Sequence, residues 1–499
     1  MKKVLLILIL SILASTVFAS DSTPALCPEP QKYTISQTEY VPFEAVSIVC
    51  PDKVASEWAK KHLKQWYGKY APAVDVASGD TAKMGDEEYQ LKINAQGAHI
   101  KANTLQGVRY ALYTMRQLAI PARNTTTVQG WIVPLAEIED KPDMTFRGMH
   151  ICWFHENKPW EIERMIRLAA YYKLNYAVIE SWGTFQSKVA PWFGWDDGTM
   201  TYKEVKRLKA IADDLGITLI PQLNVFGHAT NARVNSGKHA TLDLKPKYQP
   251  YFEPLAGWNW CLTNPHTIAL QKEIIKEMYE LFGCPPYFHI GCDEATIPTC
   301  PNCVKESYSK LFAQQVREMS EYIKGLGAQT LMWHDMLIDK DDARWAGTPA
   351  HGTKQTASVV NNLPKDVVIC DWYYKKPLER YNTLEYFSSL GFDVLACPWE
   401  NKDGVESFIK ASHKIGIKGV LGTLWHHYTG KRLVNSYFGV SNLTWNKNAS
   451  MVVLGHAHYN NRTTLQTHLR HVVWDMKIKD SRHAGTYFDE MPSEPALID

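Results

Sequence analysis

Tyr287-Phe288-His289-Ile290-Gly291-Cys292-Asp293-Glu294-Ala295 is the stretch around which the chain is organised. Its first four residues form a short apolar run that reads as a buried strand. The run ends in Gly291, and two carboxylates follow side by side. Unpaired acids are rarely buried, so Asp-Glu at the end of a buried strand needs a reason. A salt-bridged strand end or a helix N-terminus supplies a bland one. The rest of the chain decides between that and a catalytic pair.

Outward from this stretch, apolar runs recur at 146–151, 176–179, 218–221, 330–332, 367–369, 394–396 and 420–424. With 287–290 they make eight. Helical patterns at 160–173, 202–215, 267–282 and 304–326 alternate with them, and most stop at a glycine suited to a helix C-terminus. Eight strand–helix units predict an α/β fold, a (β/α)8 TIM barrel, irregular around its ill-defined fifth and sixth helices. Barrels of this kind build their sites at the C-terminal ends of the strands. The eight runs deliver, in order, Arg147 and His150; Glu180 and Trp182; Asn224, Gly227 and His228; Asp293 and Glu294. Then come Trp333, His334 and Asp335; Asp371, Trp372, Tyr373 and Tyr374; Trp399 and Glu400; and Trp425, His426 and His427. Packing explains any one of these. It explains poorly an acid, a histidine or a tryptophan on nearly every strand. Carboxylates among tryptophans at one mouth suggest a carbohydrate pocket, with aromatic faces against the ring and charged groups on hydroxyls.

Residues 28–138 read as a separate small α/β domain. It has a helix over 54–70, strands over 89–93 and 98–102, and a helix over 107–118 that Thr104 can cap. A linker containing Pro142 leads to the barrel at 144–445, and 446–499 read as a helical extension with a polar tail. Residues 1–19 combine Lys2 and Lys3, an apolar stretch over 4–13 and Val17-Phe18-Ala19, the pattern of a secretory signal cut near Ala19. No later apolar run approaches the length of a spanning helix, so the expectation is an exported protein without membrane insertion. Without Lys2 and Lys3, basic and acidic residues balance at 52 each, which argues against nucleic acid or an anionic surface as partner. Among ten cysteines, Cys27 and Cys50 are close enough in sequence to pair. Cys300-Pro-Asn-Cys303, with Cys292 and Cys261, could hold a structural zinc. A lone CxxC without a second pair favours a disulfide or plain thiols instead.

Phe146-Arg147-Gly148-Met149-His150, Phe226-Gly227-His228-Ala229-Thr230-Asn231-Ala232 and His289-Ile290-Gly291-Cys292-Asp293-Glu294, together with Trp333, resemble glycoside hydrolase family 20, the β-N-acetylhexosaminidases. Residues 107–118 and Ile138-Glu139-Asp140-Lys141-Pro142 are similar to that family's zincin-like N-terminal domain and linker, so the resemblance covers roughly 30–430. Pro221 to His228, Leu262-Thr263-Asn264-Pro265-His266 and Trp333-His334-Asp335-Met336-Leu337 look most like its hexosaminidase D branch, which leans towards galacto substrates.

The resemblance implies an exo-acting, retaining enzyme without a cofactor or catalytic metal. Its partner would be a glycan ending in β-linked GlcNAc or GalNAc. In such enzymes the substrate's own acetamide oxygen attacks C1. Glu294 would be the general acid/base, and Asp293 would orient the acetamide. An ionised Asp293 is expected to raise the pKa of Glu294. The resemblance further implies that Arg147 holds ring hydroxyls, that His228 is tied to Glu180, and that Trp333 walls the acetamide pocket. Trp372, Trp399 and Trp425 are placed similarly, and Tyr373 or Tyr374 would donate to the acetamide carbonyl. The family's Trp-x-Glu after the last strand is here Trp425-His426-His427, which leaves the hold on O4 and O6 open. The alternatives are a non-catalytic barrel that binds N-acetylhexosamine, and a disaccharide-releasing or sulfated-sugar member of the family.

Overall fold

A computed structural model describes residues 25–122, 128–229, 245–254, 257–425, 430–454 and 461–476. The signal-like segment, His426, His427 and the end of the polar tail lie outside them. Among the described residues, no helix is long and apolar enough to cross a membrane.

The chain forms two compact units. The first takes the chain up to Asp143, Tyr171–Lys173, and the chain from Ser441 onward. Its sheet contains β1 (Lys32–Pro42), β2 (Ala45–Val49), β3 (Ala73–Ala77), β4 (Tyr89–Asn94), β5 (Gly97–Ala102), β6 (Ile120–Pro121) and β7 (Trp131–Asp140). Their order is β1-β7-β4-β5-β2-β3, with β6 also on β7. β4 alternates buried and exposed residues, as a strand with one covered face must. Thr104 accepts from Gln106 N and Gly107 N and starts the helix Leu105–Leu118. The helix Asn461–Asp475 belongs to this unit, and Arg116 reaches Asp475 with two buried N–H donors, at 2.6 and 2.8 Å.

Asp140 is the polar centre of the first unit. It accepts from Tyr89 Oη (2.6 Å) and Trp445 Nε1 (2.7 Å), and Lys173 Nζ lies 3.2 Å away. Asp140 and Lys173 are 3% and 1% exposed, so each is the other's main charge compensation.

The second unit is a closed barrel of eight parallel strands. They are β8 (Phe146–Trp153), β9 (Tyr176–Ser181), β10 (Thr218–Gln222), β11 (Tyr287–His289), β12 (Gln329–Trp333), β13 (Val368–Tyr373), β14 (Val394–Pro398) and β15 (Gly419–Leu424). Each coincides with one of the apolar runs. β15 pairs with β8 and closes the ring. Phe146, Val178, Ile220, Leu331, Val368, Leu395 and Leu421 fill its interior. The irregularity falls where the helical pattern fails. After β12 the α-helix shrinks to the four residues Lys354–Ala357 among short 3-10 turns, and after β13 to the eight-residue Asn382–Ser389.

The cysteines correct one expectation. All ten are free, so Cys27 and Cys50 are not bridged. Cys27 Sγ instead lies 3.5 Å from Ser441 Oγ.

Replacing Asp140 by alanine leaves the Lys173 ammonium buried without its counter-charge. The expected loss is about 3–5 kcal/mol of stability in the first unit, read from denaturant titration. An unchanged midpoint would contradict this account of the pair.

Candidate active site

The carboxylate pair sits on backbone that few sequences can adopt. Gly291 follows β11 with φ +67°, and a Cβ there would lie 2.1 Å from Asn224 Oδ1. Only glycine fits that position. Cys292, Glu294, His228 and Glu400 also have positive φ, of 75°, 45°, 55° and 69°. Such conformations cost free energy and persist where surrounding structure over-determines them, often at functional sites. Here the Glu294 backbone is held from both sides. Its N–H donates to Asp335 Oδ2 (2.9 Å), and its carbonyl accepts from Trp258 Nε1 (2.6 Å).

His228 stands between the two acids. Its Nε2 lies 3.3 Å from Asp293 Oδ2 and 3.4 Å from Glu294 Oε2. Asp293 is 6% exposed, and its Oδ1 has no hydrogen-bond partner. Burial pushes the Asp293 carboxyl above its ordinary range against the pull of His228. Glu294 shifts the other way. The His228 hydrogen bond holds its carboxyl below the usual range, opposed by burial and by Asp335. The net shift is thus opposite to the expected rise, because the imidazole outweighs burial and the Asp335 charge. Asp335 also accepts from Trp372 Nε1 (3.2 Å) and meets His351 Nδ1 at 2.9 Å.

A cavity of about 360 Å³ opens over the pair. Phe154, Trp182, Trp372, Tyr374, Trp399 and Trp425 form its aromatic walls. His228, Asp293, Glu294, Glu400 and Arg432 supply its charged and titratable groups. Arg432 Nε lies 3.1 Å from Glu400 Oε1, and its guanidinium covers the Trp399 ring at 5.2 Å. Trp425 Nε1 donates to Tyr374 Oη (3.2 Å). Burial keeps that phenol protonated far above neutral pH. A pocket of this size, mostly aromatic with a few convergent polar groups, suits one substituted sugar ring.

Of the expected site residues, Asp293, Glu294, His228, Trp372, Trp399 and Trp425 meet at this cavity. Four others do not line it. Arg147 is second in β8, fully buried, and its Nη1 donates to the Met144 carbonyl (2.8 Å). At roughly 3.3 Å per residue it lies about 20 Å from the C-terminal end of its strand, at the opposite end of the barrel. Glu180 is buried among barrel side chains. It accepts from Asn224 Nδ2 (2.7 Å), and the histidine beside it is His150 at 3.1 Å, while His228 turns to the acid pair. Trp333 is fully buried in the barrel core, packed on His289 at 4.5 Å. Tyr373 points away from the cavity and donates to the Lys376 carbonyl (2.5 Å), because alternate residues of β13 face opposite sides. Its neighbour Tyr374 takes the wall position. Trp182 and Glu400 are visible in the sequence as strand-end residues, whereas Arg432, His351 and Trp258 come from segments without a strand signal.

A family model described as glycosyl hydrolase family 20, catalytic domain, matches residues 125–438, and one described as glycosyl hydrolase family 20, domain 2, matches 23–141. The chain belongs to glycosyl hydrolase family 20. It is 25% identical over 323 residues to a lacto-N-biosidase of Bifidobacterium bifidum, covering 60% of this chain and 25% of that protein. It is 24% identical over 390 residues to a beta-hexosaminidase of Vibrio furnissii, covering 69% and 58%. The chain thus spans a quarter to somewhat over half of the length of these relatives. A GH20 exo beta-N-acetylglucosaminidase from Vibrio harveyi shares the fold with a TM-score of 0.66 at 18% identity, over 92% of this chain and 79% of that one.

The Asp335–His351 contact gives a signed prediction. The hydrogen bond to Asp335 raises the His351 pKa above its ordinary value of 6.5, against desolvation. A raised imidazole stabilises fully below its unfolded pKa, and that contribution fades as pH climbs through the folded value. His351→Gln is therefore expected to lower Tm more near about pH 6 than near about pH 9. Equal loss at both would remove the charged pair from the account.

Proposed function

We propose that the protein is an exo-acting, retaining β-N-acetylhexosaminidase that releases terminal β-linked GlcNAc or GalNAc with the help of the sugar's own acetamide. The supporting observation is Asp293 Oδ1, a buried carboxylate oxygen without a hydrogen-bond partner, beside Glu294 at the floor of an aromatic cavity. A buried acceptor left unpaired costs about 1–3 kcal/mol, which a ligand donor recovers. The acetamide N–H is such a donor, and unlike a 2-hydroxyl the acetamide also carries a carbonyl oxygen that can reach C1.

In this reading Asp293 turns the acetamide so that its carbonyl oxygen attacks C1. Glu294 gives a proton to the leaving glycosidic oxygen as the C1–O bond breaks. The positively charged oxazolinium ring then faces Asp293. Water attacks C1 from the vacated side and gives its proton to Glu294, so two inversions return the β-anomer. Sugar binding strips water from Glu294, which raises its carboxyl relative to the free protein and favours the protonated acid. Tyr374 is the donor to the acetamide carbonyl. Arg432 and Glu400 take the ring hydroxyls, the task expected of Arg147. The pattern of residues 1–19 supports export with cleavage near Ala19. A disaccharide-releasing enzyme is the second reading, favoured by the likeness to the lacto-N-biosidase.

Glu294→Gln is expected to lower kcat on an aryl β-N-acetylhexosaminide by about 10²–10⁴-fold, more for poorer leaving groups. Unchanged turnover would remove Glu294 as the acid. Arg432→Ala is expected to cost roughly tenfold or more in kcat/KM, the scale of a hydrogen bond to a charged group. A lost preference between gluco and galacto substrates would place the contact at O4. An unchanged kcat/KM would mean that Arg432 only shapes the rim.

A further inference from the structure

Beyond the cavity, the loop that leaves Glu294 carries a second cluster of reactive side chains. Cys261, Cys300 and Cys303 and a carboxylate oxygen of Glu253 lie within 4.8 Å of one another, all buried. Cys261 Sγ is 3.7 Å from Cys300 Sγ and 3.8 Å from Cys303 Sγ. A disulfide needs about 2.0 Å between sulfurs. A tetrahedral zinc with Zn–S bonds of roughly 2.3 Å sets its sulfurs about 3.8 Å apart. The cluster has the second spacing.

The fourth corner is an independent observation. Glu253 is 5% exposed. Its Oε2 accepts from Thr299 N (2.7 Å) and Cys300 N (2.8 Å), which fixes the carboxylate plane. Its Oε1 is buried with no hydrogen-bond partner. A buried, oriented carboxylate oxygen facing three thiols is a ligand set with one position for a cation. The surrounding donors match. Cys303 N–H points at Cys300 Sγ (3.2 Å), and Thr263 Oγ1 lies 3.1 Å from Cys303 Sγ, so the sulfurs are met by hydrogen-bond donors of the kind that stabilise thiolates. Cys292, the expected partner, is elsewhere: its Sγ lies 3.6 Å from the Ile290 carbonyl, fully buried at the strand end.

We infer that Cys261, Cys300, Cys303 and Glu253 form a structural site of three thiolates and one carboxylate for a zinc-like divalent cation. All four corners are filled by protein, as structural rather than catalytic sites require. The site ties the segment carrying Glu253 and Cys261 to the loop after β11. The same two segments are joined by Asn259, whose amide donates to the Thr296 carbonyl (2.5 Å) and accepts from Thr296 N (3.1 Å), and by Trp258 on the Glu294 carbonyl. The ion would therefore hold the left-handed backbone of Glu294 from behind. The inference does not depend on which sugar is cleaved.

The test is metal analysis of the purified full-length chain, grown with zinc and passed through a chelator and gel filtration. About one zinc per chain is expected, with none in Cys300→Ser and less in Glu253→Gln. Cobalt(II) added to the metal-free protein should give the intense visible bands of a tetrahedral thiolate site. Removing the ion should lower Tm. Wild-type protein recovered from zinc-supplemented growth without bound metal, a Cys300–Cys303 disulfide found by mass mapping, or a weak octahedral cobalt spectrum would each overturn the proposal. These readouts are taken on the wild-type chain, so they stand even where a cysteine variant does not fold.

Discussion

One imidazole between two carboxylates is the constraint on which the site depends. His228 Nε2 is 3.3 Å from Asp293 and 3.4 Å from Glu294. Without it, two adjacent acids over a mostly apolar barrel mouth would share one proton. With it, they separate into a raised Asp293 and a lowered Glu294. The backbone is arranged around this contact. Gly227 allows the His228 loop to pass the Asp293 carbonyl, which a Cβ would meet at 2.3 Å. Gly291 does the same against Asn224, and Asp335 anchors the Glu294 N–H.

The barrel was legible because its signal is repeated and physical. Eight buried strands must each be apolar, and the helices between them must end where glycine can turn the chain. The acid pair was legible because it breaks that rule at one strand end. Other parts were not. Arg147 stands out by residue type and motif, although its place near the start of β8 puts it at the far end of the barrel from the cavity. Tyr373 and Tyr374 differ only in which face of the strand each presents, and strand boundaries alone do not settle that. Arg432 comes from the helix Gly430–Trp445 after the last strand, where nothing local marks it. The role proposed for it rests on its contact with Glu400 and Trp399 at the cavity.

The same limit applies to the thiol cluster. Cys300 and Cys303 are neighbours in sequence, but Cys261 and Glu253 arrive from a separate loop. A motif search weighs only the first pair and finds it weak. The fold supplies the remaining ligands, and it does so behind the residue that carries the acid. Acid pair and thiol cluster thus belong to one loop system after β11, one facing the cavity and the other on the loop's far side.

The central claim is that the sugar's amide, oriented by Asp293, makes the bond to C1. The most direct measurement is kcat/KM for aryl β-N-acetylhexosaminides whose acetyl group carries zero, one, two or three fluorines. The account predicts a steep fall with each fluorine, as the carbonyl oxygen becomes a poorer nucleophile. A flat series, or equal cleavage of the matching glycoside with a hydroxyl at C2, would contradict it.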